Sequence, residues 1–150
     1  MIIWLFGQPC SGKTTLGHLL LDELKNDGKE PILIDGDKFR EVFNDKTYGK
    51  EARLKNVERA MSVAKYLESM GHNVVCSFVT PYKSMRYDIK SMIPDAKFVY
   101  LYYEGVRGRE DYHVKDFEIP SPFDEEVLSL DTSKYGESDC LSLIKFKFNI

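Results

Sequence analysis

Apolar residues along the chain fall into two alternating patterns. Five short runs are almost continuously apolar, which is typical of strands buried in a sheet, at residues 2–6, 31–35, 73–78, 97–102 and 126–130. Between them, apolar residues recur at helical spacing, which predicts helices over residues 13–25, 51–70 and 86–92. The last segment, 140–150, fits either spacing, and we favour a short helix that covers the sheet.

The alternation of strands and helices predicts an α/β fold in which parallel strands are joined by right-handed crossovers. A chain of 150 residues is expected to form a single domain, over residues 1–150. No internal repeat or low-complexity linker divides the sequence.

Composition narrows the class of protein. The 21 basic and 24 acidic residues give a net charge of -3, which argues against nucleic acid as a partner. The sequence has no apolar run of about 18 residues, so we expect no membrane association through a spanning helix. Three cysteines, Cys10, Cys76 and Cys140, lack the spacing of a disulfide framework or a zinc site and fit a reducing cytoplasm.

A phosphate-binding loop follows the first predicted strand. Residues 7–14 fit the pattern GxxxxGK[ST] at every fixed position, and an amphipathic helix comes directly after them. In such a loop, backbone N–H groups surround phosphates, the lysine reaches the β- and γ-phosphates of ATP, and the threonine hydroxyl binds Mg²⁺. We therefore expect Lys13 to be catalytic and Thr14 to be a metal ligand. The residues predicted to bind ATP here are Gly7, Cys10, Ser11, Gly12, Lys13, Thr14 and Thr15.

An acidic turn ends the second predicted strand. Asp35 and Asp37 would lie at the carboxyl edge of the parallel sheet, where ligands bind in such folds. Kinases of small molecules need a carboxylate there, beside the γ-phosphate, to orient or deprotonate the acceptor hydroxyl. We predict that Asp37 has this role and that Asp35 serves the metal through water. Asp-Gly is also a common turn pair, and a purely structural turn is the alternative.

Polar groups suited to an anionic acceptor surround this turn. Arg40 follows Asp37 by three residues, and Arg53 and Asn56 lie one turn apart on the edge of the long helix. Arginine suits the bidentate recognition of phosphate or sulfate.

Four motifs in order resemble the adenylylsulfate kinases, which phosphorylate the ribose 3′-hydroxyl of adenosine 5′-phosphosulfate. Beside the phosphate loop, residues 35–40 resemble that family's DGDxxR motif, residues 53–59 its RxxNxxR helix, and residues 77–83 its SFISPYR segment. The resemblance covers residues 1–90. It implies a three-layer α/β/α P-loop fold with the strand order 2-3-1-4-5, ATP and Mg²⁺ as cofactors, and adenylylsulfate as the acceptor.

The resemblance also implies an acceptor-binding region over residues 35–86. A stacking aromatic precedes the RxxN helix in that family, and Tyr48 is the nearest candidate here. The resemblance is also the only basis for expecting a homodimer. The acceptor-binding residues that it implies are Asp37, Arg40, Tyr48, Arg53, Asn56, Phe78, Val79 and Thr80.

The resemblance weakens after residue 103. Residues 104–118 are shorter than the family's basic lid, of the KGLYKKAR kind, although Arg107 and Arg109 remain available to hold the phosphates of ATP. Two alternatives therefore stay open. One is a kinase of the same fold with another hydroxyl acceptor, such as a nucleotide, a sugar or a polynucleotide 5′ end, and the other is a nucleotide-binding module without turnover.

Overall fold

Five parallel strands form one sheet in the order β2-β3-β1-β4-β5, as predicted. The structure, a computed structural model, describes residues 1–25, 28 and 30–150. The strands are β1 (Ile2–Phe6), β2 (Ile32–Asp35), β3 (Val74–Phe78), β4 (Lys97–Tyr102) and β5 (Val127–Asp131). The helices are α1 (Lys13–Leu24), α2 (Gly36–Val42), α3 (Lys50–Ser69), α4 (Lys83–Met92) and α5 (Glu137–Phe148).

Helices cover both faces of the sheet and create two separate apolar cores. In β1, Ile2, Trp4 and Phe6 pack with residues of α3 and α4, whereas Ile3 and Leu5 pack with α1 and α5. All five residues of β1 have no exposed surface, which confirms the prediction of a strand buried on both faces. The result is the predicted three-layer α/β/α architecture.

The C-terminal segment is helical, as we favoured, but the helix is longer than expected. It begins at Glu137, and Cys140 and Ile144 face the core beside α1. Among the helices of the described residues, none is long and apolar enough to cross a membrane.

Helix α2 was not predicted. Where the sequence suggested a turn, Asp35 is instead the N-terminal cap of a helix, because its Oδ1 atom accepts hydrogen bonds from the backbone N–H groups of Asp37, at 3.1 Å, and Lys38, at 3.3 Å. Aspartate is among the best residues for this position. Gly36 fits closely, since a Cβ atom there would lie 3.1 Å from both the Phe78 ring and the Ser77 carbonyl oxygen and would require these neighbours to shift.

The carboxyl ends of the strands all lie at one edge of the sheet, because every strand pair is parallel. The phosphate loop follows β1 there, α2 follows β2, and the SFISPYR-like segment follows β3. A short 3₁₀ turn at Glu110–Tyr112 interrupts the segment after β4. This edge therefore brings together the motifs that are separated in sequence.

Candidate active site

One cavity of about 300 Å³ lies at the carboxyl edge of the sheet. Phosphate-loop residues form one side and the predicted acceptor-binding residues form the other. Of the residues predicted from sequence, the cavity is lined by Cys10, Gly12, Lys13, Thr14, Thr15, Asp35, Asp37, Arg40, Tyr48, Arg53, Asn56, Phe78, Val79, Thr80 and Arg109.

Three predicted residues lie outside this lining. Gly7 has a φ of 151° and packs against β4, where a Cβ atom would lie 2.1 Å from the Leu101 carbonyl oxygen. Ser11, within the loop itself, is fully buried. Arg107 lies on the outer side of the phosphate loop, where its Nη1 atom donates to the Cys10 carbonyl oxygen at 3.1 Å.

Five lining residues were not predicted: Pro9, Gly36, Val57, Ser77 and Tyr112. Four of these flank predicted residues in the motifs, so proximity in sequence could have suggested them. Tyr112 carried no such signal, because it belongs to the segment after β4 in which no motif is recognisable.

The phosphate loop adopts the left-handed backbone conformation at two positions, Cys10 with a φ of 63° and Gly12 with a φ of 95°. Lys13 Nζ donates to the Gln8 carbonyl oxygen at 2.8 Å and to Ser11 Oγ at 3.3 Å. Burial lowers the pKa of Lys13 to about 8, although the nearby carboxylates of Asp37 and Asp35 oppose this shift. A partly buried cation that has lost part of its hydration favours the binding of an anion beside it.

Oxygen ligands suited to Mg²⁺ meet between β2 and α1. Thr14 Oγ1 donates to Asp35 Oδ2 at 2.7 Å, and Asp37 lines the same cavity. Hydroxyl and carboxylate oxygens are the donors that Mg²⁺ prefers, and proteins commonly supply only one or two of them beside substrate phosphates and water. These residues therefore fit the metal that the phosphate loop implies.

Asp37 faces the cavity and is 68% exposed at its side chain. Its Oδ2 atom lies 3.8 Å from Arg109 Nη1, an exposed ion pair that contributes little to stability. The carboxylate is therefore accessible to an acceptor.

Cationic groups dominate the acceptor side of the cavity. Arg40 is 7% exposed, lies 4.6 Å from the centre of the Tyr48 ring, and donates to the Thr47 carbonyl oxygen. Burial and the neighbouring Arg40 guanidinium lower the pKa of Arg53. Two guanidinium groups that repel each other in a partly buried cavity are stabilised by an anionic ligand between them.

Asn56 adds a free hydrogen-bond acceptor to this wall. It is 2% exposed, and its Nδ2 atom donates weakly to the Gly36 carbonyl oxygen at 3.4 Å. Its Oδ1 atom has no partner within the described part of the chain. A buried acceptor without a partner is costly, and such groups are found where a ligand supplies the missing donor.

Two tyrosine rings stand near each other at the cavity. The Tyr48 and Tyr112 ring centres lie 6.4 Å apart, with the ring planes inclined by 59°. A flat base between two rings needs about 3.5 Å on each side, so these rings would admit one if they moved slightly apart and turned towards parallel. The same side of the site opens into a second cavity of about 450 Å³. This cavity shares Asp37, Arg40, Tyr48 and Arg109 with the first one.

Thr80 is held in a strained conformation at the cavity wall. Its φ is 44°, a conformation that β-branched residues rarely adopt. Trp4 Nε1 donates to its Oγ1 atom at 2.9 Å, and Arg86 Nη1 donates to its carbonyl oxygen at 3.1 Å. The second arm of Arg86 donates to the Glu118 carbonyl oxygen at 2.7 Å, which links this wall to the segment after β4.

Comparisons with known proteins agree with the motifs. The family model for adenylylsulphate kinase matches residues 1–111. The adenylyl-sulfate kinase of Staphylococcus epidermidis is 34% identical over 102 residues, which are 67% of this chain and 51% of that protein. The adenylyl-sulfate kinase of Bacillus velezensis is 30% identical over 93% of this chain and 80% of that protein. The chain therefore spans about half the length of some relatives and most of another.

A solved structure shows the same fold over the whole chain. The APS kinase of Mycobacterium tuberculosis, in complex with AMPPNP and APS, superposes with a TM-score of 0.82, covers 99% of this chain and 97% of that one, and is 18% identical. At that identity the likeness concerns the fold alone. The family match extends from β1 through α4 and β4, and includes all four motifs. This chain belongs to the adenylylsulfate kinase family.

Proposed function

We propose that this chain transfers the γ-phosphoryl group of ATP to the 3′-hydroxyl of adenylylsulfate. One observation carries the proposal: a single cavity is lined by the phosphate loop, by Arg40 and Arg53, and by Asn56, whose buried Oδ1 atom has no partner among the described residues. The phosphate loop suits a nucleoside triphosphate. The arginines and the asparagine suit an acceptor that carries both a negative charge and hydrogen-bond donors.

The donor nucleotide would bind through the phosphate loop. Backbone N–H groups at the start of α1 would surround the β-phosphate, and Lys13 would exchange its bonds to Gln8 and Ser11 for phosphate oxygens. Thr14 and Asp35 would hold Mg²⁺, which supplies charge neutralisation to the transferred group. Arg109 would move from Asp37 to the phosphates.

The acceptor would bind against α2 and α3. Arg40 and Arg53 would hold its phosphosulfate group, and Asn56 Oδ1 would accept a hydrogen bond from a donor of the acceptor. Its base would enter between Tyr48 and Tyr112. Phe78, Val79 and Thr80 would form the remaining wall.

Asp37 would act on the acceptor hydroxyl. The 3′-oxygen attacks the γ-phosphorus, the bond from that phosphorus to the β–γ bridging oxygen breaks, and ADP leaves. The hydroxyl proton passes to Asp37, which the exposed carboxylate at the cavity permits. Lys13 and Arg109 would stabilise the negative charge on the transferred group.

We also propose how the chain is organised. It would form one kinase domain, with the phosphate loop at 7–14, the acceptor-binding region at 35–86 and a short lid at 104–118. Three free thiols fit a cytoplasmic location, and a homodimer remains a proposal that rests on the family.

Product analysis tests the proposed reaction. Purified protein with ATP, Mg²⁺ and adenylylsulfate is expected to give one ADP per 3′-phosphoadenylylsulfate, identified by chromatography against the authentic compound. AMP, a sugar and a polynucleotide 5′ end serve as alternative acceptors under the same conditions. ADP release with one of these and none with adenylylsulfate would move the proposal to that acceptor. Binding of ATP without turnover of any acceptor would favour a nucleotide-binding module.

A further inference from the structure

Three side chains from outside the phosphate loop each bind one of three consecutive carbonyl oxygens of that loop. Two of the donors belong to the segment that follows β4, and the third is the residue after β5. The pairs are Tyr103 Oη with Pro9 at 3.2 Å, Arg107 Nη1 with Cys10 at 3.1 Å, and Thr132 Oγ1 with Ser11 at 3.2 Å. The two hydroxyl groups also have a second partner each, His113 Nε2 at 3.0 Å for Tyr103 and the Tyr102 carbonyl oxygen at 3.1 Å for Thr132, so the guanidinium of Arg107 gives the firmest of the three contacts.

These contacts determine the direction of the backbone N–H bonds on the side of the loop where phosphate would bind. A peptide group is planar and its N–H and C=O bonds point in opposite directions. A donor that fixes the carbonyl of Pro9, Cys10 or Ser11 from outside therefore fixes the direction of the next residue's N–H bond. Anion binding by such loops depends on the direction of these N–H groups.

Cys10 is where such support matters most. Its φ of 63° is a left-handed conformation, which is unfavourable for a residue other than glycine. The Arg107 guanidinium holds the carbonyl of this strained residue. Strain of this kind persists only where the surroundings determine the conformation.

Arg107 makes two further hydrogen bonds to protein groups, although its side chain is exposed. Its Nη1 atom donates to Thr132 Oγ1 at 3.0 Å, and its Nη2 atom donates to the Thr132 carbonyl oxygen at 3.0 Å. The guanidinium lies 4.1 Å from the centre of the Tyr103 ring. Arg109, only two residues further, lines the cavity, whereas Arg107 stands behind the loop.

We propose that Arg107 is a positioning residue for the phosphate loop, acting together with Thr132, rather than a ligand of the phosphates. The fork of the guanidinium ties Cys10 to the residue after β5 and holds the loop ready for the β-phosphate before nucleotide arrives. This inference concerns nucleotide binding and does not depend on which acceptor the proposed function names.

Affinities for Mg-ADP, measured by isothermal titration calorimetry without acceptor, test the proposal. Arg107→Gln is expected to weaken ADP roughly 10-fold, within the range for one hydrogen bond to a charged group. Arg107→Lys is expected to be nearly as weak as Arg107→Gln, because one ammonium cannot reproduce the fork on two carbonyl oxygens. Lys147→Gln removes one positive charge from an exposed position of α5 outside the cavity and is expected to change ADP affinity less than twofold. Thermal unfolding of each variant checks that the fold is intact.

A double-mutant cycle separates positioning from direct contact. If Arg107 acts through Thr132, the losses of Arg107→Gln and Thr132→Val in ADP affinity are strongly non-additive. Additive losses, or an Arg107→Lys protein that binds ADP like the wild type, would overturn the inference and leave the proposed reaction untouched. A wild-type protein that binds ADP but phosphorylates no adenylylsulfate would overturn the proposed reaction and leave the positioning role of Arg107 untouched. Failure of the wild type to bind ADP would overturn both.

Discussion

Thr14 and Asp35 are joined by a hydrogen bond of 2.7 Å, from the hydroxyl of the first turn of α1 to the carboxylate at the end of β2. The same carboxylate caps α2 through its other oxygen atom. Asp35 therefore has one structural contact and one contact that a metal ion can replace. Substitutions can separate these two roles.

Asp35→Asn is expected to keep the helix cap and weaken the metal site. Asparagine caps helices as well as aspartate does, so the melting temperature should stay within a few degrees of the wild type. The Mg²⁺ concentration for half-maximal turnover should rise about 10-fold or more, since an amide oxygen replaces a carboxylate. Asp35→Ala, the matched variant, should show the same Mg²⁺ effect together with a loss of stability of about 1 kcal/mol. Unchanged Mg²⁺ dependence in both would remove Asp35 from the metal site.

ATP binding is expected to take up a proton above pH 8. The pKa of Lys13 is about 8 in the nucleotide-free protein, because burial disfavours its charged form. Phosphate oxygens favour that form and raise the pKa, so binding at pH 8.5 should take up about three-quarters of a proton, whereas binding at pH 7 should take up about a tenth of one. Affinity should accordingly decline as the pH rises through about 8. Calorimetry in two buffers of different ionisation enthalpy measures the uptake, and equal heats in both buffers at pH 8.5 would contradict this assignment.

Asn56→Leu is expected to weaken the acceptor without weakening the fold. The leucine removes the buried Oδ1 atom, which has no partner among the described residues, and gives up only the weak contact of Nδ2 with the Gly36 carbonyl oxygen at 3.4 Å, so the free energy of unfolding should change little. The KM for the acceptor should rise about 10-fold or more, while the KM for ATP stays within twofold. Initial rates and thermal unfolding provide both readouts. Equal losses for ATP and acceptor would argue against the division of the cavity.

Tyr112→Ala is expected to raise the KM of a nucleotide acceptor, because stacking of a base on an aromatic ring contributes about 1–3 kcal/mol. Tyr112→Phe keeps the ring and should behave like the wild type. Tyr87→Ala, at an exposed tyrosine of α4, is a control for the general loss of a surface ring. Wild-type kinetics in Tyr112→Ala would leave Tyr48 as the single ring that contacts the base.

Sequence predicted most of what depends on local patterns. Buried runs such as β1 and the loop with Lys13 have signatures that do not need long-range contacts, and parallel strands place their ends at one edge. Helix α2 escaped prediction because its signal is a single cap at Asp35 over seven residues. Proximity and periodicity are local properties of the sequence. They cannot predict contacts between residues that are far apart in sequence and that only the folded chain brings together.

The segment after β4 illustrates this limit. The side-chain amide of Gln8 donates to the Val114 carbonyl oxygen at 2.8 Å and accepts from the Val114 N–H at 2.9 Å, a contact between residues 106 positions apart. Such contacts set the path of the segment, and that path puts Tyr112 in the cavity and Arg107 behind the phosphate loop. Charge alone had suggested equivalent roles for Arg107 and Arg109.

The most direct test of the account is the rate at which wild type and Asp37→Asn convert adenylylsulfate to 3′-phosphoadenylylsulfate across a Mg²⁺ titration. Asparagine keeps the shape and removes the negative charge, so kcat should drop by roughly 10²–10⁴-fold at every Mg²⁺ concentration, with ATP affinity almost unchanged. Recovery of the variant at high Mg²⁺ would make Asp37 a metal ligand instead. A kcat equal to that of the wild type would contradict the account at its centre, because Asp37 would then be only a residue in the first turn of α2.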